Sequence, residues 1–166
     1  MTINRWLQLQ MVIDVVAIIG FTTSKQRQPE GVWRIVEVRT FKKDGTSTVV
    51  MPKESQVIFS KGYYSLCWST HESAIAGWQQ PDSARLNRMG QMLVNAGGYE
   101  LKGARLVTRA GFALNPMFVN GVAEFMLDYV GDTLVLKGTN VVSASNIQHP
   151  LYASGSYVVN KLVRMK

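Results

Sequence analysis

The chain has 166 residues, of which 46% are hydrophobic and 17% charged, and its formal net charge at pH 7 is +7. These values indicate one globular domain and exclude a chain that is disordered throughout. The basic residues are spread singly along the sequence, without aromatic side chains interleaved among them on one face, so we expect no nucleic-acid partner. The alternative role for the charge is to steer an anionic small molecule towards an opening. The single cysteine, Cys67, excludes an intrachain disulfide.

Residues 1–24 have the order of a secretory signal peptide. Arg5 precedes the apolar run "MVIDVVAIIGF", and the small residues "TTS" follow it, with cleavage expected after Ser24. Asp14 is an unusual charge within the run, and the alternative is a folded amphipathic helix. The run is shorter than the about 20 residues of a membrane-spanning helix, so we expect no stable membrane span. A cleaved signal would place the protein in the periplasm or outside the cell, and a folded helix would leave it in the cytoplasm.

Short β-rich runs divided by turn residues follow a polar linker at residues 25–30. The dipeptides with turn chemistry are Asp44-Gly45, Lys61-Gly62, Lys102-Gly103 and Gly131-Asp132. The runs between them include residues 32–41, residues 46–51, "QVIFS", "YYSLCWST", "VAEFMLDYV", "TLVLKG" and "SYVVNKLVRM". Roughly nine short strands at regular spacing indicate a β-sandwich or a β-barrel.

One segment, residues 83–96, has helical periodicity instead. Leu86, Met89, Leu93 and Ala96 are spaced three or four residues apart, which places them on one stripe of a helix. An apolar stripe on a single helix needs a surface to cover it. The sequence therefore predicts one mid-chain helix that packs over the β-structure.

Both ends of the predicted domain are strong strands, which favours a barrel over a sandwich. Pairing the first strand with the last would remove both free edges of the sheet. An antiparallel barrel of about eight to ten strands also has room for one small ligand. We therefore predict an all-β, mainly antiparallel fold, with a closed barrel of 8–10 strands at residues 31–166.

Several short motifs occur in the order in which a known family carries them. They are Gly31-Val32-Trp33, the segment at residues 59–65, Asn115-Pro116, Leu127-Asp128-Tyr129 and Arg164. Together they resemble the bacterial lipocalin-like domain family, whose fold is a calycin-type β-barrel. Leu127 stands where the family has threonine, and the predicted helix falls earlier than in typical lipocalins. The resemblance implies a lipocalin-like barrel that holds a small molecule.

The resemblance also implies roles for two residues at the ends of the barrel domain. The family's Gly-x-Trp tryptophan corresponds to Trp33, and the arginine that lies across it corresponds to Arg164. An indole is large and rigid enough to fill the bottom of a barrel. A guanidinium stacked on its face adds about 0.5–2 kcal/mol. We expect the pair to close one end of the barrel.

Alternation along the first strand raises the question of whether two charged side chains point into the barrel. Side chains on a strand point alternately to opposite faces, so if Trp33 points inwards, Ile35, Glu37 and Arg39 do as well. Buried charges need partners. Glu37 and Arg39 could pair with each other or with Arg109, or bind a polar group of a ligand. The alternative is that the strand twists and carries both to the rim.

The other strands supply an apolar, partly aromatic set of inward residues. With Trp33, Ile35, Glu37, Arg39 and Arg109, the predicted ligand-binding set comprises Tyr64, Leu66, Trp68, Phe112, Phe125 and Leu127. A mainly apolar lining with a few polar groups is typical of a small-molecule site. The alternative is ordinary core packing, because small barrels are often filled by their own side chains.

Three functions fit this sequence, and binding is the first of them. We predict a protein that binds or carries a small apolar or amphipathic molecule without a cofactor or a metal. The second is a barrel cyclase or isomerase with the N-terminal segment as a lid; Glu37 is then the one candidate base, its pKa raised by burial. The third is an interaction module with a filled barrel. No motif for nucleophilic or phosphate chemistry is present, which favours binding over catalysis.

Overall fold

The structure is a computed structural model and describes residues 27–72 and 77–166. Within these residues the strands are β1 (Gly31–Phe41), β2 (Ser47–Val50), β3 (Glu54–Ser60), β4 (Tyr63–Ser69), β5 (Met92–Lys102), β6 (Arg105–Ala113), β7 (Val122–Val130), β8 (Thr133–Val142) and β9 (Tyr157–Arg164). Two helices, α1 (Asp82–Gly90) and α2 (Pro150–Ala153), and a 3-10 turn (Pro116–Phe118) join them. The predicted signal peptide or helix at residues 1–24 lies outside the described residues. No helix in the described ranges has the length and apolar character to cross a membrane.

The sheet closes on itself, as predicted. Every strand pairs antiparallel with its neighbours, and β9 returns to pair with β1 from Trp33 opposite Arg164 to Phe41 opposite Tyr157. On its other edge β1 pairs with β3 at residues 31–33 and with β2 at residues 38–41. Eight strands thus form a closed barrel, with β2 as an extra strand, and the predicted all-β, antiparallel barrel is confirmed.

Trp33 fills one end of the barrel. Its side chain is fully buried, and its Nε1–H donates to the carbonyl oxygen of Pro29 at 2.7 Å. The Arg164 guanidinium lies 4.6 Å from the centre of the indole ring and donates to the carbonyl of Glu30 at 2.8 Å. The arginine therefore covers the indole and also satisfies the backbone that leads into β1.

The Gly-x-Trp spacing has a local physical cause. Gly31 has a φ of 129°, a backbone conformation that side chains with a Cβ rarely adopt. A Cβ at this position would overlap the Arg164 guanidinium. Glycine two residues before the tryptophan thus lets the chain turn under the barrel and leaves space for the arginine.

The predicted helix at residues 83–96 is wrong over its second half. Helix α1 ends at Gly90, and Leu93 and Ala96 belong to β5, which pairs along its length with β4 and β6. The first half does not pack as expected either, since Leu86 and Met89 are 67% and 49% exposed. Sheet closure requires a strand between β4 and β6, and this tertiary demand overrides the helical spacing.

Candidate functional site

The barrel contains a cavity of about 380 Å³. Trp33 lies on β1 at the closed end of the barrel. Further along the same strand, Ile35, Val38 and Thr40 line the cavity. Most of the lining is aliphatic or aromatic, and no Asp, Glu, Lys or Arg of the described part of the chain belongs to it. A volume in the lower part of the range of small-molecule pockets, about 300–1,000 Å³, makes this cavity the candidate binding site.

Five residues of the predicted ligand-binding set line this cavity. They are Ile35, Tyr64, Leu66, Trp68 and Phe125. Trp33 and Leu127 are buried in the hydrophobic core but are not part of the lining. Contact of any of these side chains with a ligand stays a prediction.

Glu37 and Arg39 do not face the cavity, which corrects the inward orientation expected from simple alternation. The register between β1 and β9 shifts between Ile35 and Glu37, where a β-bulge adds Val36 to β1. After the bulge, Val38 and Thr40 point inwards in place of Glu37 and Arg39. A bulge changes the face of every residue that follows it, so strict alternation from Trp33 fails at this point.

Glu37 instead forms an ion-pair cluster on the outside of the barrel wall. The Arg39 Nε donates to its carboxylate at 3.0 Å, and the Lys161 Nζ lies 3.3 Å away. The hydrogen bond from Arg39 is the main cause that lowers the pKa of Glu37 below 4.5, with Lys161 adding to it against the opposing effect of burial. This direction is opposite to that expected for a buried catalytic base.

The lowered pKa of Glu37 predicts an acid-dependent contribution to stability. The stabilisation is complete above the pKa of the unfolded state, near 4.5, and is lost as the pH falls through the lower pKa of the folded state. We expect Glu37→Gln to lower the free energy of unfolding by less than about 1 kcal/mol at pH 7. The difference from the wild type should shrink on acidification, as measured by thermal unfolding between about pH 7 and pH 3.

The matched control for this prediction is Glu100→Gln. Glu100 pairs with Lys102 through side chains that are 71% and 82% exposed. Because both side chains are exposed, its substitution should lower the melting temperature at pH 7 by less than Glu37→Gln does. A Glu37→Gln difference that grows as the pH falls would contradict the assignment.

Arg109 and Phe112 also lie outside the cavity lining. Arg109 donates to the carbonyl of Asn120 at 3.0 Å, and Phe112 is 64% exposed. A second bulge explains Phe112: the register between β5 and β6 shifts between Ala96 and Gly97, so Ala110 faces the cavity and Phe112 does not. With Arg39 and Arg109 both outside, no Lys or Arg side chain of the described residues lines the cavity.

Six polar residues of the lining were not identified from the sequence. They are Thr40, Asn95, Thr108, His149, Tyr152 and Asn160. Asn95 and Asn160 interrupt the apolar runs "MLVNAGG" and "SYVVNKLVRM", and a polar amide inside such a run is the signal that could have found them.

His149 and Tyr152 belong to an aromatic cluster that lines the cavity together with Phe118. The His149 ring stacks on Phe118 with centres 6.0 Å apart and meets Tyr152 edge-on at the same distance. Its Nδ1 accepts a hydrogen bond from the Leu151 backbone N–H at 3.2 Å, which caps α2. Burial raises the pKa of Tyr152, so its hydroxyl stays protonated and able to donate at neutral pH.

Neither a scan against protein-family models nor a search of curated proteins gives a match for this chain. In residues 27–72 and 77–166, no three His, Cys, Asp or Glu side chains lie close enough together to hold a metal ion. Function is therefore inferred from the barrel and its cavity.

Proposed function

We propose that this protein binds a small, uncharged, mainly apolar molecule inside its barrel and carries or sequesters it, as the lipocalin-like resemblance implies. The observation that supports this most directly is the cavity of about 380 Å³ inside the barrel. Such a volume lies in the lower part of the range of small-molecule pockets, about 300–1,000 Å³, and leaves room for a small organic molecule. A barrel filled by its own side chains would not leave this space.

The lining favours an uncharged ligand over an anion. Transfer of a charged group into an apolar site is costly unless a partner neutralises it. Arg39 is engaged with Glu37, and Arg109 with the Asn120 carbonyl, both away from the cavity. A carboxylate buried here would find no Lys or Arg among the described residues of the lining, whereas an apolar body would gain about 25 cal/mol for each Å² removed from water.

The positions of the titratable groups favour binding without catalysis. The candidate base from the sequence, Glu37, lies on the outer face of the barrel wall and is held as a carboxylate by Arg39 and Lys161. The cyclase or isomerase hypothesis therefore loses the residue on which its proton transfer depended.

A cavity-filling substitution tests the proposal. Ala123 lines the cavity from β7, and Ala123→Phe would place a phenyl ring in the space that a ligand would occupy. We expect the wild type to bind the neutral fluorescent probe N-phenylnaphthylamine saturably and Ala123→Phe to bind it at least about tenfold more weakly, which is about 1.4 kcal/mol. Fluorescence titration measures both.

The control adds the same ring to the outside of the wall. Ser65 is exposed on β4 and is not part of the cavity lining, so Ser65→Phe should bind the probe like the wild type. Circular dichroism checks that both variants are folded. Equal probe binding by Ala123→Phe and the wild type would contradict binding in the cavity, and the absence of saturable binding by the wild type would overturn the proposal.

A further inference from the structure

Tyr152 reaches the inner wall of the barrel where β8 has a glycine. Gly138 follows Leu136 on the inward face of this strand. Its neighbours across the sheet are Phe125 on β7 and Val158 on β9, and both line the cavity. A Cβ at Gly138 would overlap the Tyr152 hydroxyl oxygen. The phenol hydroxyl of Tyr152 therefore occupies the place of an inward side chain of β8, inside the cavity wall.

The Tyr152 hydroxyl has no hydrogen-bond partner in the described ranges. Among those residues, burial raises its pKa and no hydrogen bond opposes the shift. The only unpartnered side-chain atom that the described residues close off from water is Asn95 Oδ1, so the Tyr152 hydroxyl remains accessible to another molecule. A tyrosine hydroxyl in apolar surroundings usually finds a partner. The cavity thus contains an accessible donor that the described part of the chain leaves unpaired.

His149, next to Tyr152, adds a second donor. Its Nδ1 accepts from the Leu151 backbone N–H at 3.2 Å, so the neutral imidazole carries its proton on Nε2. The two rings meet edge-on with centres 6.0 Å apart, and both residues line the cavity. The Nε2–H group also has no partner within residues 27–72 and 77–166. Unlike the tyrosine hydroxyl, this group donates and cannot accept.

We propose that the ligand of this cavity carries an uncharged carbonyl oxygen that accepts a hydrogen bond from the Tyr152 hydroxyl. The inference rests on the proposed binding function and adds the chemical class of the ligand to it. An acceptor suits both Tyr152 and His149, whereas a group that only donates could use the tyrosine oxygen alone. The molecule is an apolar body with one ketone, aldehyde or ester group, rather than a pure hydrocarbon or an amine.

Tyr64 provides a matched comparison within the same cavity. It lines the cavity from β4, and its hydroxyl, like that of Tyr152, has its pKa raised by burial. A hydrogen bond with Thr108 opposes that rise, so the Tyr64 hydroxyl already has a partner within the fold. If the unpaired hydroxyl of Tyr152 determines ligand selectivity, then deletion of the hydroxyl has different effects at the two tyrosines.

Acetophenone and α-methylstyrene test the inference, because they have nearly the same shape and differ in a carbonyl oxygen against a methylene group. Each competes for the cavity with N-phenylnaphthylamine, whose own affinity is measured for every variant. Comparing the ratio of the two affinities between variants cancels their different transfer from water. We expect Tyr152→Phe to weaken acetophenone about fivefold relative to α-methylstyrene, as a neutral hydrogen bond contributes. Tyr64→Phe should keep the wild-type ratio, whatever it does to both affinities together.

The outcomes separate this inference from the proposed function. If the wild type does not bind the probe saturably, the binding function fails and the inference with it. If the probe binds but acetophenone does not displace it, binding stands and the inference is overturned. An unchanged ratio in Tyr152→Phe, as expected where water satisfies the hydroxyl, also overturns it, and so does an equal change in Tyr64→Phe. Gly138→Ala, whose Cβ would displace the hydroxyl, replaces Tyr152→Phe if circular dichroism shows that the phenylalanine variant does not fold.

Discussion

Trp33→Ala should lower the free energy of unfolding by about 3–5 kcal/mol, because it removes a fully buried indole and leaves a cavity at the closed end of the barrel. The substitution also leaves the Pro29 carbonyl without its donor and the Arg164 guanidinium without the ring on which it lies. For a domain of this size, we expect the melting temperature to fall by about 6–20 °C. Thermal unfolding followed by far-ultraviolet circular dichroism measures the change.

Trp33→Phe is the control that separates the ring from its hydrogen bond. Phenylalanine keeps an aromatic face under Arg164 but has no donor for the Pro29 carbonyl, which is 2.7 Å from Nε1 in the wild type. We expect a loss of about 1–3 kcal/mol, clearly smaller than that of Trp33→Ala. A melting temperature of Trp33→Ala within about 2 °C of the wild type would mean that the indole does not hold the closed end together.

Gly97→Ala should be the second strongly destabilising substitution, at about 3 kcal/mol or more. A Cβ at Gly97 would overlap the Arg109 carbonyl oxygen and would lie 2.7 Å from the Gly111 nitrogen, at the bulge between β5 and β6. The overlapped atoms are backbone and cannot rotate away as a side chain could, so the strands must separate. We expect a fall in melting temperature of about 6–12 °C.

The adjacent glycine is the matched control. Gly98 does not have a positive φ. A Cβ at this position would have the Gly62 carbonyl oxygen as its nearest neighbour, at 3.7 Å, which is an ordinary contact. Gly98→Ala should therefore change stability by less than about 1 kcal/mol, and a small gain is expected because alanine restricts the unfolded chain. Equal losses at the two positions would contradict the overlap at the bulge.

The closure of the barrel could be predicted because it depends on features that are local in sequence. Strands at both ends of the domain and turn dipeptides between runs are direct consequences of backbone conformation. The Trp33–Arg164 stack followed from the family resemblance, and the structure places the two side chains 4.6 Å apart. The helix could not be delimited, because Leu86, Met89, Leu93 and Ala96 fit a helical stripe whether or not the chain becomes a strand after Gly90.

The site was predicted only in part, and bulges are the main reason. Alternation predicts the inward face correctly at Ile35 but fails at Glu37. The bulge at Val36 depends on how β1 pairs with β9, so the sequence of β1 alone does not indicate it. Phe112 is misplaced for the same reason by the bulge opposite Gly97.

The pairing of β1 with β9 has a consequence for how the chain is made. Trp33 and Arg164 are partners in the sheet, yet at about 5–20 residues per second a ribosome adds the second roughly 7 to 26 seconds after the first. During that interval the β1 edge that β9 will occupy has no permanent partner, and an unpaired edge is a template for aggregation. Nascent chains of this protein should therefore depend on chaperones until synthesis reaches the last strand.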